Sequence, residues 1–215
     1  MKKYLFLFLL AIFVSVDVLA QERDVKISIN VSPQWNSGLG VKAGADVLIP
    51  FGQSRWGFEP GLYWSLRHAT SESTSNNNKK EYDYKVHYLD VPLRMAVHVA
   101  GRESDPFNMS ILFGPYFAYG VGGTTHCTIT KDGNVTKSEA GAFSSEGRLR
   151  SRFDYGLNLG FNAVIKQHAK VGVFSEIGFK DIYRSSSLAE ELIGDLFGGI
   201  TKINLGVGIS VGYQF

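Results

Sequence analysis

Eight stretches of this chain alternate apolar side chains with small or polar ones, and that period of two restricts the fold to β-sheet. The last, residues 201–215, sets Ile203, Leu205, Val207, Ile209, Val211, Tyr213 and Phe215 against Asn204, Gly206, Gly208, Ser210, Gly212 and Gln214. The others span 25–32, 38–49, 56–68, 85–99, 109–121, 153–166 and 170–183. A helix would repeat its apolar positions every three to four residues, and none of these runs does so.

The connections alternate in length. Short turns, PFGQS, GRESDP and QHA, join strands two to three, four to five and six to seven. Long polar segments join three to four, five to six and seven to eight, and the first connection, PQWNS, is the short exception among them. Short turns at one end and long loops at the other are the layout of an outer-membrane barrel, with both termini at the short-turn end. Within the longest loop, CTITKDGNVTK predicts a hairpin around Asp132-Gly133 that continues strands five and six above the bilayer. SLAEELIGDLF predicts a short helix capped by Ser187, with Glu190 three residues on.

The solvent on each face follows from composition. A water-facing barrel exterior carries Lys and Glu in quantity. Here the polar face has few charges and many glycines, such as Gly156, Gly160, Gly206, Gly208 and Gly212, which suit the crowded inside of a narrow barrel. The apolar face is rich in Leu, Val, Ile and Phe on every strand, and Trp56, Tyr84, Tyr155, Tyr183, Tyr213 and Phe215 suit interfacial girdles. An unpaired backbone group in hydrocarbon costs several kcal/mol, so the last strand must close on the first. The expected fold is all-β: a closed, eight-stranded, antiparallel, transmembrane up-and-down β-barrel. The last strand is expected to be a stave, with closure needing nothing beyond it.

Residues 1–20 carry Lys2 and Lys3, an apolar run from Tyr4 to Val16 and a small residue, Ala20, before Gln21. This is a signal-peptide pattern, too short to span as a helix. The expected organisation is therefore 1–20 signal peptide and 21–215 barrel domain, exported to the outer membrane of a Gram-negative bacterium. The net charge of +2 gives no case for nucleic acid, and Cys127, the single cysteine, excludes an intramolecular disulfide.

The inward face is expected to carry opposite charges: Lys42, Arg67, Arg94, Lys166, Lys180 and Lys202 against Asp46, Glu59, Asp90, Asp154 and Glu176. Buried charges persist when paired, so these predict a luminal network that plugs the barrel; the competing reading leaves individual members solvated at the rims. No phosphate loop or zinc-spaced Cys/His set exists, so no cofactor or metal is expected. His68 and His87 are equidistant from Asn77/Asn78, and a symmetric hairpin sets them opposite each other near Ser71, Glu72 and Ser73. That raises a lipid-modifying enzyme as an alternative to a plain pair of rim residues. His98 is expected to face inward near Arg94, and Cys127, beside His126, to be an exposed loop thiol. Loops 70–83, 123–150 and 184–199 would carry contacts with an extracellular or envelope partner. The leading expectation is a non-enzymatic barrel held in outer-membrane lipid; a narrow channel is a further alternative.

The stretches GVKAGADV, FEPGLYWS, YLDVPLRM, ILFGPYFAYG, FDYGLNLGFNAVI and INLGVGISVGYQF together resemble the Bacteroidetes-type outer-membrane beta-barrel family that includes the PorT-like proteins, OmpA/OmpX-like in architecture. Tyr88 to Leu93, followed by Gly114-Pro115-Tyr116, is the most specific part. The resemblance implies an outer-membrane barrel whose terminal aromatics, Tyr213 and Phe215, form the signal read by the barrel-assembly machinery. Its PorT branch implies accessory work in secretion or gliding.

Overall fold

The computed structural model describes residues 25–75, 78–102, 104–131, 134–145, 149, 151–179 and 204–215. The signal-peptide segment, Asp132-Gly133, Tyr183 and the 187–197 helix expectation lie outside them. The strands are β1 (Lys26–Trp35), β2 (Leu39–Pro50), β3 (Trp56–Ser75), β4 (Asn78–Ala100), β5 (Phe107–Lys131), β6 (Asn134–Gly141), β7 (Phe153–Ile165), β8 (Ala169–Gly178) and β9 (Asn204–Gln214).

Eight of them close a ring in the order β1-β2-β3-β4-β5-β7-β8-β9, every neighbour antiparallel, with β9 returning to β1. The seam runs from Ser28 opposite Gln214 to Trp35 opposite Val207, omitting Ser32 and Pro33. The alternating run stops at Ser32, but β1 itself continues through Pro33, which pairs with Val41 of β2. Proline has no N–H to give a second neighbour, so the seam loses pairing there while the β1–β2 side keeps its register. Phe215 N–H donates to Ile27 C=O at 2.8 Å, continuing the closure to the last residue.

The barrel is polar inside and apolar outside. Asp90 and Asp154 are fully buried, whereas Ile209 is 59% exposed. Outward aromatics pack along the rims: Trp56 against Phe113 at the short-turn end, and Phe117, Phe153, Tyr155 and Phe179 in succession nearer the long loops. Tyr84, expected in this girdle, points inward and is buried. It shares the parity of Tyr88 and Asp90, so the pleat aims it into the lumen.

Beyond the ring the sheet continues. Pairing of β2 with β3 ends at Leu66 and that of β5 with β7 at Tyr119, yet β3, β4 and β5 pair on to Ser75, Asn78 and Lys131. The segment 70–83, expected as a loop, is therefore largely β-hairpin. Its residues are polar apart from Tyr82, so the alternation that marks a strand inside the membrane vanishes there. The 127–137 hairpin is also present, but as β5 with a separate strand β6, which pairs with β5 from Thr124 to Lys131 and with no other described residue. The chain then returns through 142–152 before β7 begins. It does not pass straight from one barrel stave to the next.

At the opposite end, the β7–β8 turn holds two non-glycine residues in the left-handed region, Lys166 (φ 52°) and Gln167 (φ 65°). A turn with positive φ at both central residues favours Asn at the first of them. Lys166→Asn is expected to stabilise the barrel by up to about 1 kcal/mol, read as a higher urea midpoint of unfolding from lipid vesicles. An unchanged or lower midpoint refutes it.

Candidate functional site

The pleat sends every second side chain of each stave into the lumen, and ring closure brings distant charges together. Nearer the long-loop end, Arg67 of β3 reaches Asp154 of β7 at 2.8 Å, Asp90 of β4 at 3.1 Å and Glu176 of β8 at 3.6 Å. Lys42 of β2 bonds Asp90 at 3.1 Å and makes a short contact with Glu176. Tyr116 O–H donates to Asp154 at 3.0 Å, and Asn158 donates to Glu176 at 3.1 Å. Arg67 also lies over the Tyr88 ring, 4.6 Å from its centroid, where a guanidinium gains cation–π attraction.

Nearer the short-turn end, Arg94 meets Glu59 at 2.6 Å and Asp46 at 3.2 Å, and Lys170 meets Asp46 at 2.8 Å and Glu59 at 3.2 Å. Glu59 and Arg94 are direct partners in the β3–β4 register. Asn30 donates to Asp46 at 2.8 Å, and Tyr63 O–H donates to the same carboxylate. The Tyr63 ring lies where a Cβ on Gly44 or Gly61 would fall within 2.7 Å of it. Those two glycines open the space that lets the ring lie flat and its hydroxyl reach Asp46. Between the clusters, a cavity of about 30 Å³ is bordered by Asn30, Lys42, Asp46, Tyr63, Asn158 and Lys170, room for one or two waters.

An aromatic layer lies over the long-loop mouth. Phe143, from the returning segment, packs edge-on against Tyr88 with 6.4 Å between centroids. A Cβ on Gly120 would collide with the Phe143 ring, so glycine there gives the ring its seat. Arg152 covers the other side of Phe143 at 4.5 Å and donates to Gly120 C=O at 3.1 Å. Ala69, Tyr82, Tyr84, Val86, Tyr116, Ala118, Ala142 and Leu149 complete the buried cluster.

Of the residues singled out in sequence, Lys42, Asp46, Glu59, Arg67, Asp90, Arg94, Asp154 and Glu176 meet in these clusters. Lys166 does not. It sits exposed in the β7–β8 turn, because the chain reverses immediately after Ile165 and its parity no longer refers to the barrel. Lys180 and Lys202 lie outside the described residues. Lys170 was missed although it stands at the start of an alternating run opposite Val171. Tyr63, Tyr88 and Tyr116 were missed as partners because a tyrosine on a polar face gives no sign of which charge it meets. His98 faces inward as expected, is buried and pairs with Ser110 at 2.9 Å.

On the projecting hairpin the register runs His68 opposite Lys85 and Leu66 opposite His87, so the two histidines are not opposed. Ser75 pairs with Asn78, which shifts the pairing two residues from a turn centred on Asn77/Asn78. His68 instead contacts Asp83 at 2.8 Å, and His87 stacks on Trp64. Glu72 accepts from Lys79 at 3.0 Å, and that hydrogen bond raises the lysine pKa above its ordinary value. Cys127 lies in β5, half-buried against the aromatic cluster rather than in an open loop. Tyr213 stacks on His168 and Phe215 packs edge-on against Tyr213, both on the outer wall. Among the described residues no group of His, Cys, Asp and Glu has the geometry of a metal site.

Residues 13–184 match the family described as outer membrane protein beta-barrel domain. No curated protein matches the sequence. Among solved structures, similar chains include Ail, the attachment invasion locus protein of Yersinia pestis (11% identity, 89% of this chain and 96% of that one, TM-score 0.33). Others are the N-terminal β-barrel domain of Pseudomonas aeruginosa OprF (12%, 89% and 96%, 0.37) and a major outer membrane protein from Thermus thermophilus (10%, 89% and 100%, 0.43).

Proposed function

This chain belongs to the outer membrane protein beta-barrel domain family, and from that premise we propose a non-enzymatic, non-conducting envelope barrel whose projecting strands make its contacts. Its place is the outer membrane. The observation that carries the proposal is the pair of ion clusters across the lumen beneath an aromatic layer, with a cavity of about 30 Å³ between them. Desolvated charges held by several partners do not move aside for an ion without leaving another charge unpaired. Reconstituted into planar bilayers, the mature protein is expected to give no large, steady single-channel currents; their appearance would sink the plug.

Export removes residues 1–20, so the mature protein isolated from membranes begins at Gln21, as mass spectrometry would register. Tyr213 and Phe215 serve as the signal for the barrel-assembly machinery. The PorT-like likeness centres on residues 88–93, where Asp90 belongs to the ion clusters and Tyr88 to the aromatic layer. These duties suit any plugged barrel, so accessory work in secretion gains no support from that stretch. Lipid modification is tested by incubating purified protein with lipid A: unchanged acyl chains support the proposal, and acyl transfer abolished by His68→Ala refutes it.

A further inference from the structure

β6 presents an exposed strand edge outside the membrane. All its residues but Ala140 are exposed, β5 occupies one edge, and no described residue pairs with the other. A free edge is a template for another strand. We propose that the occupant is β6 of a second copy, paired antiparallel about Ser138, and that the two copies sit in facing membranes. This deepens the reading above, in which the projection makes the protein's contacts, by naming the partner.

The strand reads Asn134-Val135-Thr136-Lys137-Ser138-Glu139-Ala140-Gly141. An isologous contact pairs residue i with j and j with i about a two-fold axis. The axis stands perpendicular to the sheet and preserves its faces, so it must lie midway between the two copies of one residue. Centred on Ser138, the pairing sets Lys137 against Glu139 of the second copy and Glu139 against its Lys137. Thr136 then meets Ala140, Val135 meets Gly141, and Ser138 meets itself. Shifting the centre to residue 137 opposes two lysines, and shifting it to 139 opposes two glutamates. Opposite charges stabilise a cross-strand pair and like charges oppose it, so the sequence selects one register. Glu139 already stands 3.7 Å from His126 of β5, which leaves it on the same face as Lys137.

Geometry sets the arrangement of the membranes. β5 continues from Tyr119, its last pairing with β7, to Lys131, about 40 Å along the strand. The projection prolongs the barrel wall, so its sheet normal lies near the membrane plane. A half-turn about that normal points the second barrel the opposite way. Two copies in one membrane run their β6 strands in the same sense and cannot make this pair.

The test uses the full mature chain with Cys127→Ser, because Cys127 faces Ser138 across β5–β6 and would capture a new thiol within the molecule. Ser138→Cys is expected to give a covalent dimer on mild oxidation in detergent, since self-opposed residues of an antiparallel pair have Cα atoms about 4.5–5.5 Å apart. Thr136→Cys and Ala140→Cys proteins, reconstituted separately into phosphatidylcholine–phosphatidylglycerol vesicles, are expected to cross-link when the vesicles are mixed. Adding Lys137→Glu should lower the yield about tenfold, and adding Glu139→Lys as well should restore it. Folding of each variant is read from its heat-dependent mobility in gels. Folded Ser138→Cys protein that stays monomeric overturns the proposal, as does a dimer indifferent to the charge changes or one formed within a single vesicle. Failure here with a silent bilayer recording removes the self-pairing alone; steady currents remove the plugged barrel itself.

Discussion

Replacing Arg67 with methionine is expected to destabilise the barrel by about 3–5 kcal/mol, the cost of removing one partner from a buried ion pair. Arg67 is the cation shared by Asp90, Asp154 and Glu176, which lie on three different staves. Without it, Lys42 is the one cation among the described residues still on Asp90 and Glu176, Asn158 still donates to Glu176, and Asp154 keeps Tyr116 as a donor. The loss should appear as a lower urea midpoint in lipid vesicles with an unchanged slope. Arg67→Lys keeps the charge but not the fork that reaches three strands at once, so it should fall between methionine and wild type. Lys79→Ala, breaking an exposed pair with Glu72, should change almost nothing. Equal midpoints for Arg67→Met and wild type would mean that the luminal ions add no stability.

Ile209→Arg should cost about 2–4 kcal/mol, because position 209 lies on the lipid face in the middle of β9. The comparison that isolates the solvent is Val135→Arg. Val135 is 58% exposed and Ile209 is 59%, so geometry alone predicts equal effects. Val135 sits on β6, beyond the ring, where water surrounds it, and the same substitution there should cost little. A matching loss at both positions would remove the case that hydrocarbon bathes Ile209.

The alternation that marks β9 and β7 is legible because each stave stands between two media, and neighbouring residues answer to different ones. Where both media are aqueous the signal disappears. Thr70, Glu72 and Lys79 therefore read as loop while forming a hairpin. Lys166 and Lys170 show the same limit from another side. The period runs on through Lys166 on paper, but the backbone reverses after Ile165; the 170–183 alternation already sets Lys170 opposite Val171, and the paired register places it in the lumen. The histidines erred through two residues of hairpin register, which equal distances from a guessed turn cannot supply.

Period-two patterning was enough to establish a ring of β-strands, the face of each strand that meets lipid, and the entry of charges of both signs into the lumen. Those are local properties, written residue by residue by the contrast between hydrocarbon and a polar interior. No such local mark announces that Arg67 bridges β4, β7 and β8, that Phe143 folds over Gly120, or that β6 stands outside the ring with one edge against β5; these emerge from the folded sheet. Each depends on how far one strand is staggered against another around a closed sheet, and that stagger is a property of the whole ring.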